Sequence, residues 1–181
     1  MLNRLVVRPA LQEDLDTLVR FSAAMALETE GRRLEQARLR RGTQAVLDSP
    51  ARGFYMVAEL ADRKAPRVVG QLLVTFEWSD WRNAVFWWIQ SVYVDPAWRR
   101  RGVYRTMHRA ILERAKSRGD VCGVRLYVER ENRTAKTVYA RVGLETSAYH
   151  VFESDFVLSR NRGRARKKRE SAPAVRRRKR S

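Results

Sequence analysis

Cysteine is nearly missing: Cys122 stands alone in 181 residues, which excludes an internal disulfide and leaves no cysteine pair to build a metal site. Histidine is almost as scarce, and neither His108 nor His150 has a partner spacing that suggests a metal or a catalytic triad. No metal is therefore expected. Long apolar runs are absent as well. The longest, "AVFWWI", falls far short of the roughly 20 residues a membrane-spanning helix needs, and "MLNRLVVRPALQEDLD" meets acids before any stretch of signal-peptide length. The expectation is a cytoplasmic protein that does not touch membranes.

Negative charge is the other deficit, with 20 Asp and Glu against 38 Lys and Arg, a formal +18. That imbalance suggests a nucleic-acid partner, but it is unevenly placed. Residues 160–181 hold twelve Lys and Arg against Glu170 alone, so +11 of the charge lies there and +7 remains for residues 1–159. A tail with so little apolar content cannot offset its ordering entropy and reads as a disordered basic appendage. It has no aromatic side chain to stack on bases, so any contact with RNA or DNA is nonspecific attraction to a polyanion.

What remains, residues 1–159, is one domain by length, and with 44% apolar residues overall the chain can bury a core. "RLVVRPA" is a short β-rich run. "LQEDLDTLVRFSAAMALE" places Leu11, Leu15, Leu18, Val19 and Ala23 at helical spacing, and "LEQARLRRGTQAVLDS" resumes that spacing after Gly31. "FYMVAEL" and "RVVGQLLVTFEW" form a hairpin pattern. In "VFWWIQSVYV" the alternating sets Val85/Trp87/Ile89/Tyr93 and Phe86/Trp88/Val92/Val94 are both apolar, as in a strand covered on both faces. A helix follows with Val103, Met107, Ala110, Ile111 and Ala115 on one stripe. After it come a strand in "VCGVRLYVER", a short helix in "ENRTAKTVYARVG", and one or two closing strands in "LETSAYHVFESDF". The predicted fold is α/β, a mixed sheet between helices.

The strand-to-helix junction "VYVDPAWRRRGVYR" carries the chemistry. The first N–H groups of a helix lack internal acceptors and, with the helix dipole, suit an anion such as pyrophosphate. Gly102 permits close approach and unusual dihedrals, and Arg99, Arg100 and Arg101 bring guanidinium groups that match phosphate. Taken alone, the segment reads equally well as a solvated arginine face with a turn glycine.

The wider pattern resembles the GNAT family of acetyl-CoA-dependent N-acetyltransferases over roughly residues 4–156. Its Arg/Gln-x-x-Gly-x-Gly/Ala signature corresponds to Arg99-Arg100-Arg101-Gly102-Val103-Tyr104, and its second motif to Asn132, Tyr139 and Gly143-Leu144. The order of elements is also the family's. The resemblance implies a GNAT-like, mostly antiparallel central sheet with helices on both faces. It further implies that acetyl-CoA is the cosubstrate, that the loop Arg100 to Arg105 holds its pyrophosphate, and that the strand edge Val92 to Val94 pairs with its pantetheine arm. Asn132 would meet the pantetheine or anchor its helix, and Tyr139 stands where the family's general acid does. Tyr104 departs from the signature, which has a small residue there; a phenol facing inward would crowd the diphosphate.

A phenol with a pKa of about 10 is protonated at neutral pH, whereas an attacking alkylamine, near 10.4, must first lose a proton. Glu77 is the first candidate for that base; Glu28 and Glu30 are second candidates, which could instead bind a cationic acceptor. Trp78 and Trp81 could wall the acceptor pocket. The leading expectation is an enzyme acting on an amine-bearing small molecule or protein. The alternatives are a basic nucleic-acid or ribosome-associated module and a CoA-binding regulator without turnover.

Overall fold

The computed structural model describes residues 4–61 and 66–157. The basic tail expected over 160–181 lies outside the described residues. Contacts group the chain into two compact units, Met1–Leu144 and Glu145–Ser181.

In the first unit, β1 (Arg4–Pro9) leads through a 3-10 turn (Gln12–Asp14) into α1 (Leu15–Glu30) and α2 (Gln36–Leu47). Then come β2 (Phe54–Ala61), β3 (Arg67–Ser79), β4 (Ala84–Val94), α3 (Val103–Lys116), β5 (Val121–Leu126) and α4 (Arg133–Arg141). Each helix and strand read from the pattern up to residue 143 is present. The expected closing strands are not, because Glu145 to 157 forms neither helix nor strand. The β-rich composition of "LETSAYHVFESDF" favours a pleated conformation, but a strand exists only where a neighbour supplies its ladder.

The sheet has the order β1-β2-β3-β4-β5; its first three pairings are antiparallel, and β4 with β5 is parallel. Both faces are covered. On β2, Tyr55 and Val57 join Leu18 of α1 in one apolar cluster, while the intervening Met56 and Ala58 join the cluster that contains Val103, Met107 and Ile111 of α3. Period-two alternation thus delivers one set to α1 and the other to α3.

α1 buries Leu15, Leu18, Val19, Phe21, Ser22 and Ala26; Leu11, which precedes it, is exposed. Arg8 ties the start of this helix to the sheet: its Nη1 donates to Asp14 Oδ2 (2.7 Å) and its Nη2 to Glu59 Oε2 (2.5 Å). Burial works against the charge on Arg8, but the hydrogen bond to Asp14, supported by Glu59, holds the guanidinium well above its ordinary pKa. Across the sheet, Gly70 on β3 lets α3 come close. A Cβ there would lie 3.1 Å from Val103 Cγ1 and 3.2 Å from Met107 Cε.

β4 corrects one sequence expectation. Leu73 faces Gln90 and Gln71 faces Tyr93, so β4 carries one residue more than β3 across this step, and Ser91 takes φ 49°. This β-bulge reverses the alternation beyond it. Val92 and Val94 therefore pack with Trp87 and Ile89 on the α3 side, and Tyr93 turns to the other face against Phe21, with ring centroids 5.1 Å apart.

Gly70→Val should lower stability by about 1–3 kcal/mol through overpacking beneath α3, read as a lower urea midpoint; an unchanged midpoint would mean that the helix has slack. Arg8→Met strands the nearly buried Asp14 carboxylate and should cost on the order of 2–3 kcal/mol, less than a fully buried pair because Arg8 keeps 24% exposure. The same titration measures it.

Candidate active site

The junction between β4 and α3 is built by three local devices. Asp95 accepts from the Ala97 N–H (3.0 Å) and starts a 3-10 turn over Pro96–Trp98. Arg99 is extended, Arg100 is left-handed at φ 61°, and Gly102 is left-handed at φ 80°. At Gly102 it is the left-handed backbone and not crowding that favours glycine, since a Cβ there would meet nothing nearer than Arg105 Nη2 at 3.6 Å. α3 then begins without a side-chain cap, and the Thr106 N–H to Gly102 O bond (3.0 Å) is its first intrahelical link. The N–H groups of Val103, Tyr104 and Arg105 are therefore left without an acceptor inside the helix.

The arginines divide. Arg99 is committed to structure: Nη2 donates to Glu28 Oε2 (2.6 Å), Nε to the Val94 carbonyl (2.9 Å), and the guanidinium lies over the Tyr93 ring. Tyr93 Oη donates to the other Glu28 oxygen (2.8 Å). Burial tends to raise the Glu28 carboxyl, but the hydrogen bonds from Arg99 and Tyr93 prevail and hold it below the usual carboxylate range. Burial pushes the Tyr93 phenol up, and its bond to Glu28 adds to that. Arg101 rests over Trp98 at 4.8 Å. Arg100, Arg101 and Arg105 are exposed at this turn, and no ion pair engages them among the described residues.

Tyr104 turns off the loop. Its ring lies 5.7 Å from His108 and 5.6 Å from Tyr139 of α4, and its buried Oη has no hydrogen-bond partner among the described residues. Burial, and secondarily the neighbouring Tyr139, drives its phenol far above the ordinary range. His108, placed by its helix among arginines, in fact faces the interior at 2% exposure, and burial lowers its imidazole pKa. His150 lies exposed in the second unit.

α4 is opened by Asn132, whose Oδ1 accepts from the Ala135 N–H (2.9 Å). This bond anchors the start of α4. Left-handed Gly143 closes the segment, and the Leu144 N–H donates to the Tyr139 carbonyl (3.1 Å). Burial raises the Tyr139 phenol above its ordinary pKa, so it stays protonated at neutral pH.

Pairing between β4 and β5 ends at Ile89 with Leu126, although β4 continues to Val94. The β4 edge around Val92 to Val94 is thus unladdered on the β5 side. Before that opening, Glu77 of β3 accepts from Arg125 Nη1 (2.8 Å) and from the Trp88 indole N–H, so both carboxylate oxygens are engaged. Arg125 in turn lies over the Phe86 ring at 3.5 Å, and Trp88 stacks on Tyr127. Sequence reading missed Arg125; its signal is a lone charge inside the apolar run "VCGVRLYV". Glu30 pairs with Arg32 at 3.8 Å. Trp78 and Trp81 are exposed on the β3–β4 hairpin. Among the described residues no group of His, Cys, Asp or Glu could hold a metal, and no helix is long and apolar enough to cross a membrane.

The profile of the Acetyltransferase (GNAT) family matches residues 19–144. No protein of curated function matches the chain significantly. Among solved structures, a possible acetyltransferase from Clostridium difficile 630 shares 38% identity over 85% of this chain and 99% of that one, with a TM-score of 0.78. A predicted acetyltransferase with acetyl-CoA from Clostridium acetobutylicum shares the fold at 17% identity, 83% and 96% coverage and a TM-score of 0.66. AAC(6')-Iy in complex with the bisubstrate analogue CoA-S-monomethyl-acetylneamine does so at 14% identity, 84% and 98% coverage and a TM-score of 0.65. The chain belongs to the GNAT family of acetyltransferases and is an acyltransferase.

Proposed function

We propose that this acyltransferase moves the acetyl group of acetyl-CoA to a primary amine by direct attack, with Tyr139 as general acid. The observation that carries the reading is the uncapped start of α3 at a left-handed turn, next to a β4 edge released from β5. The donor set fits a diphosphate: free N–H groups at Val103, Tyr104 and Arg105, with Gly102 allowing close approach and the unpaired Arg100, Arg101 and Arg105 adding positive charge. Val92 to Val94 offer backbone groups to the amides of the pantetheine arm. Arg99 and Asn132 contribute by holding the loop and α4 in place.

Acetyl-CoA supplies an activated acyl carbon and a thiolate leaving group. Tyr139 gives its proton to the departing sulfur as the new C–N bond forms and the C–S bond breaks. The amine must shed a proton, and Glu77 is the carboxylate assigned to accept it. For this the acceptor must displace Arg125 Nη1 or the Trp88 indole from one Glu77 oxygen. In AAC(6')-Iy the acceptor half of the bound analogue is an acetylated neamine; for this chain the acceptor class is an amine on a small molecule or a protein.

The ring of Tyr104 packs against Tyr139, which supports a loop that receives the diphosphate through its main chain without crowding from that phenol. The basic tail is a separate matter, and its nonspecific contact with RNA or DNA stays a proposal independent of the acetyl transfer.

Acetyl-CoA at 100 times its Kd should stabilise the protein by about 2.7 kcal/mol, seen as a raised Tm, and Gly102→Val should abolish that rise. Tyr139→Phe should lower kcat on the order of 10²-fold with a much smaller change in the KM for acetyl-CoA, followed by thiol release with an amine acceptor. Unchanged turnover removes Tyr139 from the role.

A further inference from the structure

The first turn of α3 and the last turn of α4 are joined through two aromatic rings. Tyr104 and Tyr139 meet edge to face, with centroids 5.6 Å apart and planes at 60°, inside the range in which such pairs attract. Behind Tyr104, one helical turn along, sits the buried ring of His108 at 5.7 Å. A residue at i+4 on the same helix face closes off the space into which the Tyr104 ring would otherwise swing. The Tyr139 ring therefore leans on a neighbour that is itself held.

The polar atoms of this cluster are informative because they are unused. Among the described residues neither Tyr104 Oη nor His108 Nε2, both buried, has a hydrogen-bond partner. A buried hydroxyl with nothing to bond stabilises nothing and carries a desolvation cost. The contribution of Tyr104 must then come from its ring, whose aromatic neighbour beyond its own helix is Tyr139.

We propose that Tyr104 is a positioning residue: its ring, backed by His108, sets the orientation of the Tyr139 phenol from which the proton is delivered. This rests on the assignment of Tyr139 as the general acid. Tyr104 touches no reacting atom in this account; it acts through Tyr139 alone. The large side chain at position 104 is then a working part of the site, and the pyrophosphate loop uses only its main-chain N–H.

A double-mutant cycle between the two tyrosines tests this, with kcat and the KM for acetyl-CoA read for each variant alongside Tm. Tyr104→Ala should lower kcat by about 10-fold while KM moves less than about 3-fold. Tyr104→Phe should recover most of that loss with a Tm no lower than the parent's, because only an unpaired hydroxyl is gone. In the Tyr139→Phe background, Tyr104→Ala should cost less than about 2-fold, since the group it positions no longer donates a proton. Where Tyr104→Ala folds poorly, Tyr104→Leu fills the space without presenting a ring edge and should show the same loss and the same coupling.

A full tenfold loss in the Tyr139→Phe background would overturn the proposal, showing that Tyr104 supports the site at large. Undiminished kcat in Tyr104→Ala would overturn it equally. Tyr139→Phe with parental turnover fells the general-acid reading itself; a slow Tyr139→Phe with no coupling to position 104 fells only the positioning role.

Discussion

One surplus residue in β4 governs the site. Because Ser91 is inserted opposite β3, the strand bends, and every side chain beyond it changes face. Tyr93 is sent toward α1 and Val92 and Val94 toward α3, while the ladder to β5 has already ended at Ile89. The ladder is open on this side of β4, and the same strand runs on through the arginine-glycine turn to the start of α3. Without the bulge, Tyr93 would face the α3 core and could not reach Glu28.

That reach matters for the arginine turn. Glu28 gathers the Tyr93 hydroxyl and the Arg99 guanidinium, so the last turn of α1 is tied to the residue that starts the turn before α3. The pair is partly exposed and by itself contributes modest stability. Its consequence is geometric: one arginine of three holds the backbone of the turn, and among the described residues no ion pair engages Arg100 or Arg101 beside it. A similar division holds on the sheet, where Arg125 is committed to Glu77 and to the Phe86 ring. Charge in this molecule is spent on orientation as much as on attraction, and a count of arginines does not distinguish the two uses.

The α3–α4 contact carries a further constraint. Asn132 and Gly143 fix the two ends of a helix of nine residues, which is too short to hold its own geometry in water. Its orientation must come from packing, and Tyr104 supplies part of that packing from the first turn of α3.

Much of this was legible in the sequence. The strands and helices up to residue 143 followed from periodicity, since burial against a single face imposes period two or 3.6 on the chain. Gly102 was legible because a left-handed turn favours glycine, whereas Asn132 was legible only through the resemblance to a family motif. The closing strands were misread because propensity is local and a ladder needs a partner. The face of Tyr93, the commitment of Arg99 to Glu28, the engagement of Glu77 by Arg125 and the inward turn of Tyr104 and His108 were not written in any local pattern. Each depends on a residue distant in sequence or on one inserted position that inverts the alternation. The sequence determined which segments become strands and helices and where a left-handed glycine turn opens a helix, because those follow from backbone chemistry within a few residues. Only the tertiary structure decided which charges remain free and where each phenol points, because pairing and packing are settled between elements that meet only after folding.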